Sequence, residues 1–418
     1  MVKELEKLIL YHPKSESALM AFARALDSSD AGGISAAVGE MARLGCALGF
    51  RGNLWHCCLT HFLLTDENPY TLTRERREDV EDSLDTLARH DFQLIMRLFA
   101  IDLHSVLPEE LADCLTDFSA GTAASFGIGG AVSDMAKVLA LSADADEFAG
   151  MLSGHYAAFG VGELGHGSFF RLDDSPSLRL QPVRGSDGIT LDCIVGCEEQ
   201  KSEILRNTSA FAAGRAANNT LLYGDSGTGK STCVKAVVNE LSGAGVRLIE
   251  VYKHQFRRLP ELVALLRGRN YPFIIFIDDL SFEDFEVEYK SLKAVIEGGV
   301  ETRPENVLIY ATSNRRHLVR EDWSDRADMT HSGDVHRSDT LEEKLSLAGR
   351  FGLAVNFSAP RPSDYHDIVL ALARRDGIDM EEKRLFTLAD AWEIRHGGKS
   401  GRTARQFVDY LLSEGSFF

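Results

Sequence analysis

The sequence predicts an α/β protein built on a parallel sheet, with an all-α region before the sheet and a small helical region after it. Three observations carry that expectation. Gly224-Asp225-Ser226-Gly227-Thr228-Gly229-Lys230-Ser231 fits G-x-x-x-x-G-K-[ST], the phosphate-binding P-loop. From Asp192 onward, short apolar runs alternate with stretches of helical periodicity, the pattern of parallel strands joined by helices. Before about residue 170 and after Pro360, apolar residues recur only at helical spacing.

The N-terminal region, residues 1–170, reads as helical. Leu5, Leu8 and Ile9, then Ala18, Leu19, Phe22, Ala23 and Leu26, follow the helical period, as do Leu54, Cys58, Leu59, Phe62 and Leu63. It carries no catalytic constellation and is expected to be an accessory or partner-binding domain. The glycines between Gly160 and Gly167 read as a chain reversal. Residues 171–190, with Pro176, Pro182, Gly185 and Gly188 among Ser and Asp, read as a linker with a short strand near Leu178–Leu180.

The α/β core is expected over residues 191–358. Its strands are Thr220–Tyr223, Arg247–Val251, Phe273–Ile277, Val307–Ala311 and Gly352–Phe357. Unbroken apolar runs such as Phe273-Ile274-Ile275-Phe276-Ile277 suit strands covered on both faces. Residues 359–418 read as a helical domain with helices at Asp364–Arg374, Leu385–Arg395 and Thr403–Leu412.

The P-loop has the context that its chemistry requires. A buried strand, Thr220–Tyr223, precedes it, and a helix starting near Ser231-Thr232-Cys233 follows. Its glycines let consecutive N–H groups face one anion, and the helix N-terminus adds its dipole. Lys230 is placed for the β- and γ-phosphates, and the Ser231 hydroxyl for Mg²⁺. Gly224-Asp225-Ser226-Gly227 also mimics a serine-hydrolase elbow, but the Thr-Gly-Lys-Ser continuation excludes that reading.

Further residues sit where a nucleotide enzyme needs them. Asp278 and Asp279 end an apolar strand, with Asp278 expected to hold Mg²⁺ and Asp279 to polarise water. Asn314 ends the next strand and can orient that water. Arg350 precedes the last strand, and Arg402 and Arg405 open the last helix.

With these marks the chain resembles the AAA+ ATPases. It is most similar to a bacterial family of predicted members, the DUF815 type, through Asp278-Asp279-Leu280-Ser281-Phe282-Glu283, Tyr310-Ala311-Thr312-Ser313-Asn314-Arg315-Arg316-His317-Leu318 and Ser400-Gly401-Arg402-Thr403-Ala404-Arg405-Gln406-Phe407. The resemblance implies a P-loop NTPase core with a C-terminal lid, and ATP with Mg²⁺ as cofactors. It implies a Walker A pair in Lys230 and Ser231, a Walker B acid in Asp278 and a sensor in Asn314. Arg350 is the implied finger reaching a neighbouring subunit, and Arg402 the lid sensor, with Arg405 the alternative. Ile194 and Val195 are the implied adenine contacts. A homo-oligomeric ring of six subunits is implied, acting on a protein client or on DNA. The family's usual Asp-Glu is Asp278-Asp279 here, one methylene shorter, so slow turnover is expected, with Glu283 a substitute base. A nucleotide-gated switch with little turnover is the alternative. The sensor asparagine and helical lid disfavour a small-molecule kinase.

Composition narrows the remaining classes. A net charge of −18 argues against broad, non-specific nucleic-acid binding. No apolar run approaches membrane-spanning length, and the charged N-terminus lacks a signal-peptide core, so a cytoplasmic protein without a membrane partner is expected. The seven cysteines are scattered without a CxxC pair and are expected to be reduced, including Cys57 and Cys58 beside His56. The Asp- and His-containing stretch 321–340 reads as a solvated loop, and Lys253-His254-Gln255-Phe256 as a candidate pore-facing loop.

Overall fold

The computed structural model describes residues 1–76, 83–119, 127–175, 178–183, 188–280, 304–314 and 349–413, with residues 292, 295 and 296 besides. The chain divides into two compact units, Met1–His166 and Gly167–Phe418.

The first unit is helical, apart from the two-residue strands β1 (Arg51–Gly52) and β2 (Phe118–Ser119). Ser17, Asp30, Asn53, Asn68, Asp102 and Asp144 each cap a helix, their side chains accepting orphan N–H groups of the first turn. The core centres on Phe22, Trp55, Phe92 and Phe148, all fully buried, and Trp55 Nε1 donates to Leu98 O at 2.8 Å. The glycine-rich reversal is a short 3-10 helix, Gly162–His166.

The second unit holds a seven-stranded sheet. Its strands are β3 (Phe169–Leu172), β4 (Leu180–Pro182), β5 (Thr220–Gly224), β6 (Arg247–Glu250), β7 (Phe273–Ile277), β8 (Val307–Ser313) and β9 (Leu353–Phe357). Their order is β4-β3-β6-β7-β8-β5-β9, parallel throughout except for β4, which runs antiparallel to β3. Every residue of β7 and β8 is buried, as their apolar runs require. β5 lies between β8 and β9, so three strand ends converge where the P-loop leaves the sheet.

The stretch expected as a linker with a short strand, residues 171–190, completes β3 and supplies β4 at the sheet edge. Pro182 fits there, since an edge strand tolerates a missing N–H. The C-terminal helices, Pro362–Arg375, Glu382–Arg395 and Gly401–Ser413, share a small core around Tyr365, Val369, Leu385, Phe407 and Val408.

Candidate nucleotide site

The P-loop leaves β5 at Gly224 and enters the helix Lys230–Glu240, whose N-cap is Gly229. Gly224, Gly227 and Gly229 have φ of 132°, 75° and 94°, conformations that side chains disfavour. At Gly224 a Cβ would also lie 2.2 Å from the Phe357 carbonyl oxygen.

Lys230 is buried, and its ammonium is fully engaged. Nζ donates to Gly224 O at 3.0 Å, Asp225 O at 2.6 Å and Asn314 Oδ1 at 2.9 Å. Burial pushes its pKa below that of an ordinary lysine, while the charges of Asp225, Asp278 and Asp279 pull the other way. Two of its three acceptors are loop carbonyls, neutral partners that phosphate oxygens can replace.

The acids form a second, connected network. Asp278 Oδ1 accepts both Ser231 Oγ and Thr312 Oγ1, each at 2.6 Å. Thr312 Oγ1 in turn accepts the Asp279 N–H at 2.8 Å, and the Thr312 carbonyl accepts the Leu280 N–H at 2.7 Å. These bonds hold Asp279 at φ 53°, a left-handed backbone costly for a residue with a Cβ. Asn314 Nδ2 donates to Asp279 Oδ1 at 2.8 Å, so Asn314 bridges Lys230 and Asp279. The amide assignment is fixed by its neighbours, because an ammonium needs an acceptor and a carboxylate a donor.

The strand register makes this possible. β7 and β8 pair Ile277 with Ala311, which sets Asp278 beside Thr312 at the same sheet edge. Thr312 was not singled out from sequence. Its spacing of two from Asn314, the residue just past the end of β8, was the available signal, since alternate residues of an extended chain face the same side. A hydroxyl and a carboxylate converging at the helix start are hard oxygen ligands of the kind Mg²⁺ takes, so the residues fit a magnesium nucleotide.

Residues 166–415 match the family described as "Protein of unknown function (DUF815)". The chain belongs to that family. It is 27% identical over 205 residues to proteasome-activating nucleotidase 2 of Haloferax volcanii, covering 45% of this chain and 47% of that protein. It is 29% identical over 196 residues to the ATP-dependent zinc metalloprotease FtsH of Opitutus terrae, covering 44% of this chain and 30% of that protein. The chain therefore spans less than half the length of these relatives. The Thermotoga maritima RuvB Holliday junction branch migration motor aligns over 55% of this chain and 65% of its own, at 15% identity and a TM-score of 0.38. The α/β half of this DUF815 protein has the P-loop fold of the AAA+ ATPases that it resembles.

The other expected site residues divide into those brought to the P-loop and those kept from it. Ile194 is buried, with Cγ2 3.6 Å from the position of a Cβ on Gly229, and Val195 beside it is half-buried. Thr228 closes the loop by donating from Oγ1 to Asp225 O at 2.8 Å, and Thr232 is half-buried in the first helical turn. Ser226 is exposed at the loop tip, beside Gly227. The Arg402 N–H donates to Gly227 O at 3.2 Å, which seats the last lid helix on the loop. Arg405, the alternative sensor, pairs inside the lid with Asp376 and Asp409.

Arg350 is not in this group. β5 and β9 pair from Thr220 and Leu353 to Gly224 and Phe357, so the turn holding Arg350 lies where β5 begins and the P-loop where it ends. The strand between them spans roughly 13 Å at about 3.3 Å per residue.

The pore-loop expectation for Lys253–Phe256 is overturned. Gln255 and Phe256 are buried in a 3-10 helix. Gln255 Nε2 donates to Leu172 O at 2.9 Å and Asp174 Oδ1 at 2.6 Å, so the segment anchors the β3–β4 connection. Glu283, Arg315, Arg316, His317 and the stretch 321–340 lie outside the described residues. All seven cysteines are free thiols, and among the described residues no His, Cys, Asp and Glu side chains group as a metal site. No helix among the described residues is long and apolar enough to cross a membrane.

Proposed function

We propose that this protein hydrolyses ATP slowly, with Mg²⁺ held by Ser231 and Asp278, and uses the cycle to remodel or load a macromolecular client. The observation that carries this reading is the continuous chain Lys230–Asn314–Asp279, joined through Thr312 to Asp278 and Ser231. A plain nucleotide binder has no need to tie a water-orienting amide and an acid to the phosphate lysine.

In this reading Lys230 exchanges loop carbonyls for phosphate oxygens, and Asn314 follows it while keeping Asp279 oriented. Asp279 accepts the proton of the attacking water. Bound Mg²⁺ would neutralise charge on the phosphate oxygens. Arg402 approaches the phosphates from the lid. Arg350, on the opposite sheet edge, supports delivery in trans to a neighbouring subunit, and hence an oligomeric ring, with six subunits as the expected number. The client is a protein or DNA, and the acidic net charge favours a protein. A cytoplasmic location without a membrane partner completes the reading.

A nucleotide-gated switch with little turnover is the second reading. It is favoured by Asp279 itself, one methylene short of glutamate, with one carboxylate oxygen already engaged by Asn314.

The test is ATP turnover against protein concentration, with sizing in ATP, for the wild type, Lys230→Ala and Arg350→Ala. The expected result is a rate per subunit that rises with assembly and falls at least about a hundredfold in both variants. Binding without turnover above the Lys230→Ala background, even when assembled, would leave the switch.

A further inference from the structure

We propose that Asp225 is a coupling residue that clamps the hinge of the helical lid to the P-loop, and does not contact phosphate. Its backbone N–H donates to the carbonyl of Phe357, the last residue of β9, at 3.0 Å. Its Oδ2 accepts the N–H of Ala359, the second residue beyond β9, at 2.8 Å. Its carbonyl accepts Thr228 Oγ1 at 2.8 Å and Lys230 Nζ at 2.6 Å. One residue thus joins the central sheet, the segment entering the lid and the phosphate lysine.

The location gives those bonds leverage. Only residues 358–361 separate β9 from the first lid helix, which starts at Pro362. Pro360 and Pro362 have fixed φ, and each restricts the residue before it, so the connection keeps few free torsions. Fixing the Ala359 amide therefore fixes much of the direction in which the lid departs. The lid is held a second time by the Arg402 N–H on Gly227 O. Both lid attachments fall on residues of the P-loop.

The chemistry also argues against a phosphate contact. A carboxylate turned into the anion cradle would repel the phosphates, whereas one turned to a backbone N–H is satisfied where it is. The close approach of the loop to β9 at Gly224, where a Cβ would meet Phe357 O, brings the carboxylate within reach of Ala359. The coupling rests on the nucleotide reading above. When phosphate draws Lys230 away, the Asp225 carbonyl keeps Thr228 Oγ1 but loses its charged donor, and the peptide that orients the clamp is held less firmly.

The experiment is amide hydrogen exchange on the full chain, with and without a magnesium complex of a non-hydrolysable ATP analogue. The clamp itself is read without nucleotide. Asp225→Ala is expected to cost the Ala359 amide at least about tenfold in protection, the worth of one hydrogen bond to a charged acceptor. Asp225→Asn retains that protection, because the amide oxygen accepts the same N–H. On adding the analogue, exchange in Gly401–Ser413 is expected to change in the wild type and Asp225→Asn but not in Asp225→Ala. Ala359→Pro removes the donor, leaves the loop sequence intact, and is expected to abolish the same lid response. Unchanged Ala359 protection in Asp225→Ala overturns the clamp. So does a loss of analogue affinity of about a hundredfold in Asp225→Asn, which would make the carboxylate a ligand. If the wild type binds no nucleotide, the functional reading fails, while the nucleotide-free measurement still decides the clamp.

Discussion

Each unit holds carboxylates among hydrogen-bond donors, and the two settings differ in kind. In the helical unit Asp91 is fully buried and accepts the N–H groups of Ile9 at 2.8 and 3.0 Å, Leu10 at 2.7 Å and Tyr11 at 3.2 Å. In the α/β unit Asp278 and Asp279 are exposed, and their carboxylates accept from the side chains of Ser231, Thr312 and Asn314. Backbone donors cannot leave without unfolding the segment they belong to, whereas hydroxyls and amides can rotate to a ligand. The first arrangement fastens the N-terminal segment to the helix Ser83–Phe99, and the second leaves its acids available for exchange. Polar clusters in the two units therefore answer different questions, one about folding and one about chemistry.

The comparison is tested most strongly at Asp91. Asp91→Ala leaves the buried N–H groups of Leu10 and Tyr11 and the part-buried N–H of Ile9 without an acceptor, so the helical unit is expected to lose about 3–5 kcal/mol. Asp278→Ala, an exposed residue whose partners are hydroxyls that can turn to other acceptors, is expected to change stability by no more than about 1 kcal/mol. Urea denaturation of both variants gives the two numbers. A cost at Asp278 equal to that at Asp91 would erase the distinction between fixed and exchangeable donors.

Thr312 sharpens the comparison, because it belongs to both kinds. It is a buried strand residue whose hydroxyl donates to Asp278 and accepts from the Asp279 backbone. Thr312→Val keeps the branched shape and removes both bonds. The left-handed Asp279 then lacks a restraint, so turnover is expected to fall about tenfold or more, with a smaller change in KM. Thr312→Ser is expected to restore most of it. If serine does no better than valine in steady-state kinetics, the hydroxyl is not the positioning group.

How much of this was legible in the sequence follows from what each role depends on. The P-loop could be read because its chemistry demands glycines, lysine and serine at fixed spacing, all local in the chain. The buried strands β7 and β8 could be read because sheets covered on both faces require unbroken apolar runs. Thr312 and the hinge contact of Asp225 could not. Each depends on register between strands far apart in sequence, Ile277 with Ala311 and Gly224 with Phe357. A short strand could be expected near Leu178–Leu180, where β4 begins, but β3 and the pairing of the two at the sheet edge were hidden by proline and serine, which mark linkers more often than edge strands. Lys253–Phe256 read as a pore-facing loop because the β3–β4 connection to which Gln255 bonds lies about 80 residues earlier, at Leu172 and Asp174.

The lid supplies the smallest effect and a limit on the comparison. Arg405 pairs with Asp376 and Asp409, exchangeable side chains that serve structure alone. The Arg405 hydrogen bond holds the Asp409 carboxyl below its usual pKa. Burial works against the same shift at Asp376, but hydrogen bonds from Arg405 and Arg375 outweigh it. Both folded values lie below the unfolded one, so the stabilisation is complete above about pH 4 and is lost as pH falls through the folded values. Because Asp409 is exposed and Asp376 and Arg405 are only half-buried, solvent screens the pairs and the whole effect is expected to stay within about 1 kcal/mol. Arg405→Met should lower lid stability near neutral pH by that amount and flatten its acid dependence, as read by exchange in the helix Gly401–Ser413 between pH 5 and 2.5. An acid dependence that survives in Arg405→Met would assign the effect to other carboxylates. A loss well beyond that limit would mean that side-chain donors can fasten a fold as firmly as the backbone donors around Asp91.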